Sequence, residues 1–198
     1  MKTITASPSS RPAIRVPDFG GRPKRINLDQ ILAIKGHGKL KIRPIRLDDE
    51  QEMIRFHERI SEESIYMRYF EYLGLDRRTS HERLVRICTN TPESYAIVVE
   101  KPASPHHPAA ILAVGRLTKT AETYVATFDT LMTDEEKAPQ LGKVLLHRLV
   151  KLAHAFGFQV LTGEVLVADH DTLNLCRAVG FSLQTIPEDG LVHATLQL

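Results

Sequence analysis

The sequence predicts a mixed α/β domain on a mostly antiparallel sheet, and three observations predict it. Apolar runs of strand length alternate with amphipathic stretches of helix length along most of the chain. Ala155-Phe156-Gly157-Phe158 and Ala178-Val179-Gly180-Phe181 repeat one device, a helix closed by glycine and followed by an aromatic that opens a strand. At the C-terminus, Val192, Ala194, Leu196 and Leu198 alternate with His193, Thr195 and Gln197, the pattern of a strand buried on one face.

Composition is that of one globular domain with a tail. The 198 residues are 42% hydrophobic and 25% charged, and a net charge of +2 selects no partner class. No apolar run approaches the ~20 residues of a membrane helix, and the first ten residues lack the apolar core of a secretory signal. Cys88 and Cys176 have no metal-ligand spacing and read as buried thiols, which suits a cytoplasmic protein.

Residues 1–38 read as an arm. They hold Pro8, Pro12, Pro17, Pro23 and the Gly20-Gly21 pair. Arg11, Arg15, Arg22, Lys24 and Arg25 make them basic, but a single aromatic residue, Phe19, lies among the charges, which disfavours a nucleic-acid contact. Within the arm, residues 27–35 suggest a short helix with Ile31, Leu32 and Ile34 as its apolar side. Residues 39–198 read as the domain proper.

The elements follow in order. Residues 39–46 are a strand with Leu40, Ile42 and Ile45 apolar, and Pro44 suggests an edge or a bulge. Asp48 followed by Gln51 starts a helix whose stripe is Met53, Ile54, Phe56 and Ile60. Residues 62–72 form a second helix, and Ser80 caps a third that runs to Cys88. Residues 95–100 and 109–117 are strands with apolar runs long enough for burial on both faces. Between them His106-His107, flanked by prolines, reads as an exposed loop without a third metal ligand. Residues 123–132 form a strand, residues 139–156 a long amphipathic helix, and residues 158–166 another strand. A helix over 171–179 and two further strands, around the turn at Pro187-Glu188-Asp189-Gly190, complete the order β-α-α-α-β-β-β-α-β-α-β-β.

One junction carries chemistry. Leu131, Met132 and Thr133 end a strand, a short loop follows, and Gly142 lies in the first turn of the helix beyond. The first turn of a helix presents unpaired N–H groups and the positive end of its dipole, which suits an anion.

This junction, with the element order, resembles the coenzyme A loop of the GCN5-related N-acetyltransferases. That loop reads Gln/Arg-x-x-Gly-x-Gly/Ala; Lys137 stands at its first position and Gly142 at its last. Ile42-Arg43-Pro44-Ile45-Arg46, Ser61-Glu62-Glu63-Ser64-Ile65-Tyr66-Met67-Arg68-Tyr69-Phe70, Val114-Gly115-Arg116-Leu117 and Gly163-Glu164-Val165-Leu166 are similar to segments of bacterial protein-lysine acetyltransferases. The resemblance spans about residues 39–183 and implies acetyl transfer from acetyl-coenzyme A to a primary amine, a protein lysine or a small amine. It implies cofactor contacts from Leu131, Met132, Thr133, Lys137, Ala138, Gln140, Leu141, Gly142, Lys143 and Asp169.

The chain departs from the pattern at several of these positions. Ala138 and Gln140 replace loop glycines, Pro139 removes an N–H, and Asp169 stands where an asparagine is usual. Thr127 stands at the expected catalytic glutamate, and a threonine is no base near neutral pH. Asp129 shares its strand face with Thr127, and Glu164 lies on the strand forming the other wall of the expected gap, so these two are the candidate bases. His170 ranks below them. Two functions stay open: an active acetyltransferase, and a catalytically impaired domain that senses an acyl-coenzyme A or binds other proteins. The alternating last strand offers an edge for a homo-oligomer.

Overall fold

The computed structural model describes residues 16–21, 23, 26–34, 36, 38–136 and 139–198. The basic residues of the expected arm and the loop positions Lys137 and Ala138 lie outside them. The elements are β1 (Gln30–Ile34), β2 (Gly38–Pro44), α1 (Glu50–Glu58), α2 (Glu62–Tyr69), α3 (Leu75–Arg78), α4 (His81–Ile87), β3 (Ser94–Lys101), β4 (Ala110–Lys119), β5 (Val125–Met132), α5 (Pro139–Phe156), β6 (Val160–Leu166), α6 (His170–Val179), β7 (Ser182–Ile186) and β8 (Leu191–Gln197). The eight strands form one sheet in the order β1-β2-β3-β4-β5-β6-β8-β7. Among the described residues only β5 and β6 are parallel neighbours; α5 makes the crossover between them. The expected order holds, with β1 and the one-turn helix α3 added, but the last strand, expected to offer an edge, is β8 and is paired on both sides, with β6 and β7.

The short helix expected over residues 27–35 is a strand. Gln30–Ile34 pairs antiparallel with β2, Leu32 and Ile34 turning inward while Ile31 and Ala33 are exposed. Four consecutive apolar residues do not distinguish period 2 from period 3.6. What decides is the turn: Gly36 and Gly38 both have positive φ, 88° and 73°, and reverse the chain into a hairpin. Upstream, Phe19 is buried among Tyr95, Phe156 and Phe158, with centroids 6.2, 5.0 and 4.9 Å away, and its N–H donates to the Pro92 carbonyl at 2.9 Å.

Among the described residues two large apolar clusters sandwich the sheet, with a third, small one of Val165, Leu173 and Val192. Strand β3 shows why both exist: Tyr95, Ile97 and Val99 pack with α5 and α6, while Ala96 and Val98 pack with α1, α2 and α4. A side chain every second residue serves each face, so the apolar run is continuous. At the helical end, Arg43 joins three elements. Its Nη atoms donate to both oxygens of Asp49 at 2.7 Å and its Nε to Glu100 at 2.8 Å. Burial alone would push this guanidinium's pKa down; the hydrogen bonds and charges of Asp49 and Glu100 overcome it and push it up. Asp49 also accepts from the Arg46 N–H at 2.8 Å, so it, rather than Asp48, closes the start of the helical layer.

Glycines close α5 and α6 as expected. Gly157 and Gly180 have φ of 97° and 104°, and the Gly180 N–H donates to the Cys176 carbonyl at 3.1 Å. Both cysteines are buried and free; burial first pushes Cys88 up to about 11 and Cys176 up to about 12.

Candidate functional site

Strands β5 and β6 pair over only three positions: Val125 with Val160, Ala126 with Leu161, and Thr127 with Thr162. Residues 128–132 and 163–166 continue as strands without pairing to each other. The fork begins where Phe128 meets Gly163. Parallel neighbours in register place side chains on one face, and here a full ring stands beside a bare Cα. A Cβ on Gly163 would lie 2.6 Å from the Phe128 ring. Phe181 backs that ring at 5.0 Å.

A cleft of about 1230 Å³ follows the fork through the sheet. On the α2 side it is lined by Met67, Arg68, Thr127, Asp129, Glu164 and His193. On the other side it reaches Met132, Pro139 and Lys143 at the start of α5, and Asp169 and Leu175 of α6. Its volume exceeds the roughly 300–1,000 Å³ of sites for drug-sized ligands, so it has room for a longer one. Along the fork the edge of β5 facing β6 keeps main-chain groups free of a strand partner, and an extended ligand can take them as a strand would.

The sequence candidates distribute unevenly. Leu131, Met132, Lys143, Asp169, Asp129, Glu164 and Thr127 line the cleft. Thr133 is fully buried beside it, and its Oγ1 has no hydrogen-bond partner among the described residues. Gln140 is exposed at the first turn of α5, outside the lining. Leu141 faces the core. Gly142 is required by packing: a Cβ there would lie 2.5 Å from Leu175 Cδ1, so the glycine lets α6 close on α5. Asp169 is the N-cap of α6, accepting from the Thr172 N–H at 3.0 Å, which explains a carboxylate at this position.

The two candidate bases differ in their neighbours. Asp129 forms an ion pair with Arg68 at 2.5 Å and lies opposite Arg116 on β4. Burial lowers the Arg116 pKa and the charge of Asp129 works against that shift. Glu164 is half-exposed, with Oε1 3.2 Å from His193 Nε2 across the β6–β8 pair. Thr127 donates from Oγ1 to the Thr118 carbonyl at 3.3 Å. In sequence His193 is a polar residue of an alternating strand; the pairing of β8 with β6 brings it to the cleft, opposite Glu164. His170 also lines the cleft, at the first residue of α6. His106 and His107 are exposed between β3 and β4.

The eight-stranded mixed sheet, forked at its parallel pair with a helix starting at the fork's open end, belongs to a fold that solved structures share. The GNAT domain of S. lividans PAT superposes with a TM-score of 0.74 at 22% identity, covering 86% of this chain and 97% of that one. This is the fold of the GCN5-related N-acetyltransferases. Mycobacterium smegmatis RimJ, solved with CoA-disulfide, matches with a TM-score of 0.68 at 12% identity over 89% of this chain and 90% of its own. The PaiA N-acetyltransferase of Thermoplasma acidophilum, solved with coenzyme A, matches at 0.62 and 14% identity over 80% and 99%. No protein-family model matches the chain. At one edge of the sheet β1 pairs with β2. Among the described residues no helix is long and apolar enough to cross a membrane.

Proposed function

We propose that the protein transfers an acetyl group from acetyl-coenzyme A to a primary amine. The fork between β5 and β6 carries this reading: it runs through the sheet and opens at the start of α5. The acyl-carrying arm lies along the free edge of β5 at Leu131, Met132 and Thr133. The diphosphate meets the first turn of α5, with amides of the loop through Ala138, Gln140, Leu141 and Gly142, and the charges of Lys137 and Lys143. Asp169 limits how closely that diphosphate approaches α6.

The acceptor enters from the α2 side. Its nitrogen attacks the thioester carbonyl carbon, the C–S bond breaks, and the coenzyme leaves as a thiolate that takes up a proton. A lysine-type amine has a pKa near ~10.4 and needs a base at neutral pH. Glu164, beside His193, takes the amine proton, directly or through a water. Asp129 is engaged by Arg68 and is the weaker candidate.

Thr127 at the expected glutamate supports a second reading, an acyl-coenzyme A sensor without turnover. Calorimetry with acetyl-coenzyme A, followed by a thiol-release assay with lysine peptides and small amines, tests both. Saturable binding with amine-dependent thiol release supports transfer. Binding without release supports the sensor. No binding at millimolar ligand overturns both.

A further inference from the structure

A second, smaller cavity of about 210 Å³ lies beside the fork, under α1, α2 and α4. Arg68, Asp129 and Leu131 line both it and the cleft. Four arginines, Arg68, Arg83, Arg86 and Arg116, line it against the single carboxylate of Asp129. Arg68 is taken by Asp129 at 2.5 Å. Among the described residues Arg116 donates to neutral acceptors, Ser94 Oγ at 2.7 Å and the Ile87 carbonyl. Arg83 and Arg68 both stack on the Tyr69 ring, 5.2 and 5.0 Å from its centroid. The Nε of Arg83 is buried with no hydrogen-bond partner among the described residues.

His57 adds an independent sign. It lines the cavity, is 1% exposed, and has both ring nitrogens buried without a partner among the described residues. Burial first, then Arg78 and Arg83, holds it down to about 4. At neutral pH the ring is uncharged and offers one N–H. Cationic groups withdrawn from water and left unpaired are costly, and a guanidinium fork matches an oxyanion edge. The volume equals roughly seven waters at about 30 Å³ each, room for a small ion and part of its hydration.

We propose that this cavity binds a small oxyanion, a carboxylate or a phosphate, among Arg83, Arg116, Arg86 and the His57 N–H. An anion there competes with Asp129 for Arg68, so its occupancy is felt in the cleft.

The test uses the full chain and direct binding, so it stands apart from any transfer activity. Inorganic phosphate and succinate are titrated while NMR follows the His57 ring and the arginine Nε–H signals, with sodium chloride at matched ionic strength as control. Saturable shifts of His57 and Arg83 are expected. The midpoint should weaken at least tenfold in Arg83→Gln and severalfold in Arg86→Gln, whose side chain lies at the exposed mouth. Lys151→Gln, on the opposite layer, should leave it unchanged. A thermal unfolding curve verifies that each variant is folded. A 4-aminobutyrate arm, with its amide as control, separates two sources. Carboxylate-dependent shifts that reach His193 mark the acceptor's own anionic tail; shifts confined to the cavity mark a separate effector. Shifts that chloride reproduces, or saturable binding that Arg83→Gln and Arg86→Gln leave intact, overturn the proposal.

Discussion

The fork's apex can be tested without any ligand, through Gly163→Ala. The added Cβ would lie 2.6 Å from Phe128 Cε1, 2.8 Å from Cζ and 3.1 Å from Cδ1. A rigid ring cannot bend away as a flexible side-chain end would, and Phe181 blocks retreat at 5.0 Å. Overpacking of this kind costs about 1–3 kcal/mol. Replacing a strand glycine returns roughly 0.5–1 kcal/mol of chain entropy. At mid-range values the net loss is about 1 kcal/mol, or a drop in Tm of about 2–4 °C for a chain of this size. Urea unfolding and calorimetry measure it. Phe128→Leu removes the clashing edge, so the double variant should be more stable than the sum of the two singles by about 1 kcal/mol. An unchanged or raised Tm in Gly163→Ala, or strict additivity in the pair, refutes the packing account of the fork.

Three further outcomes are expected. Glu164→Gln should lower the amine-transfer rate by about 10²–10⁴-fold with unchanged affinity for acetyl-coenzyme A, as stopped-time thiol release and calorimetry would read; equal loss in both contradicts a proton-transfer role. Asp49→Asn leaves the buried Arg43 with Glu100 alone and should destabilise by about 3 kcal/mol, moving the urea midpoint down by roughly 1–2 M. Burial holds His57 down to about 4 from 6.5, so the unfolded chain binds more protons than the folded one within that window. Stability therefore falls as pH drops from 6.5 to 4, by up to about 3 kcal/mol from this residue. His57→Leu should flatten that slope in a pH series of urea melts.

The fold was legible because its signals are local. Alternation in residues 192–198, the glycine closures after Phe156 and Val179, and the apolar run of β3 each state a period or a stop that tertiary structure had no reason to override. Residues 30–34 failed because four apolar residues carry no period, and the information lay in Gly36 and Gly38 outside the run. The lining of the cleft was legible in outline: strand alternation fixes the faces of Leu131, Met132, Asp129 and Glu164, and Lys143 follows from the start of the helix after the strand. Partners were not. That Asp129 meets Arg68, that Glu164 meets His193, and that Gly142 makes room for Leu175 are contacts between segments whose adjacency comes only from strand order. No spacing in one sequence encodes them.

A passage that pierces a sheet has two doors. Along the β5–β6 fork, a molecule arriving by α5 does not stand in the way of one arriving by α2, and neither must leave before the other enters. Under the proposed transfer, such a plan favours both guests being seated together over a relay in which the protein itself carries the group between visits. It also gives each spent molecule its own exit, so that a queue at one mouth need not stall the other.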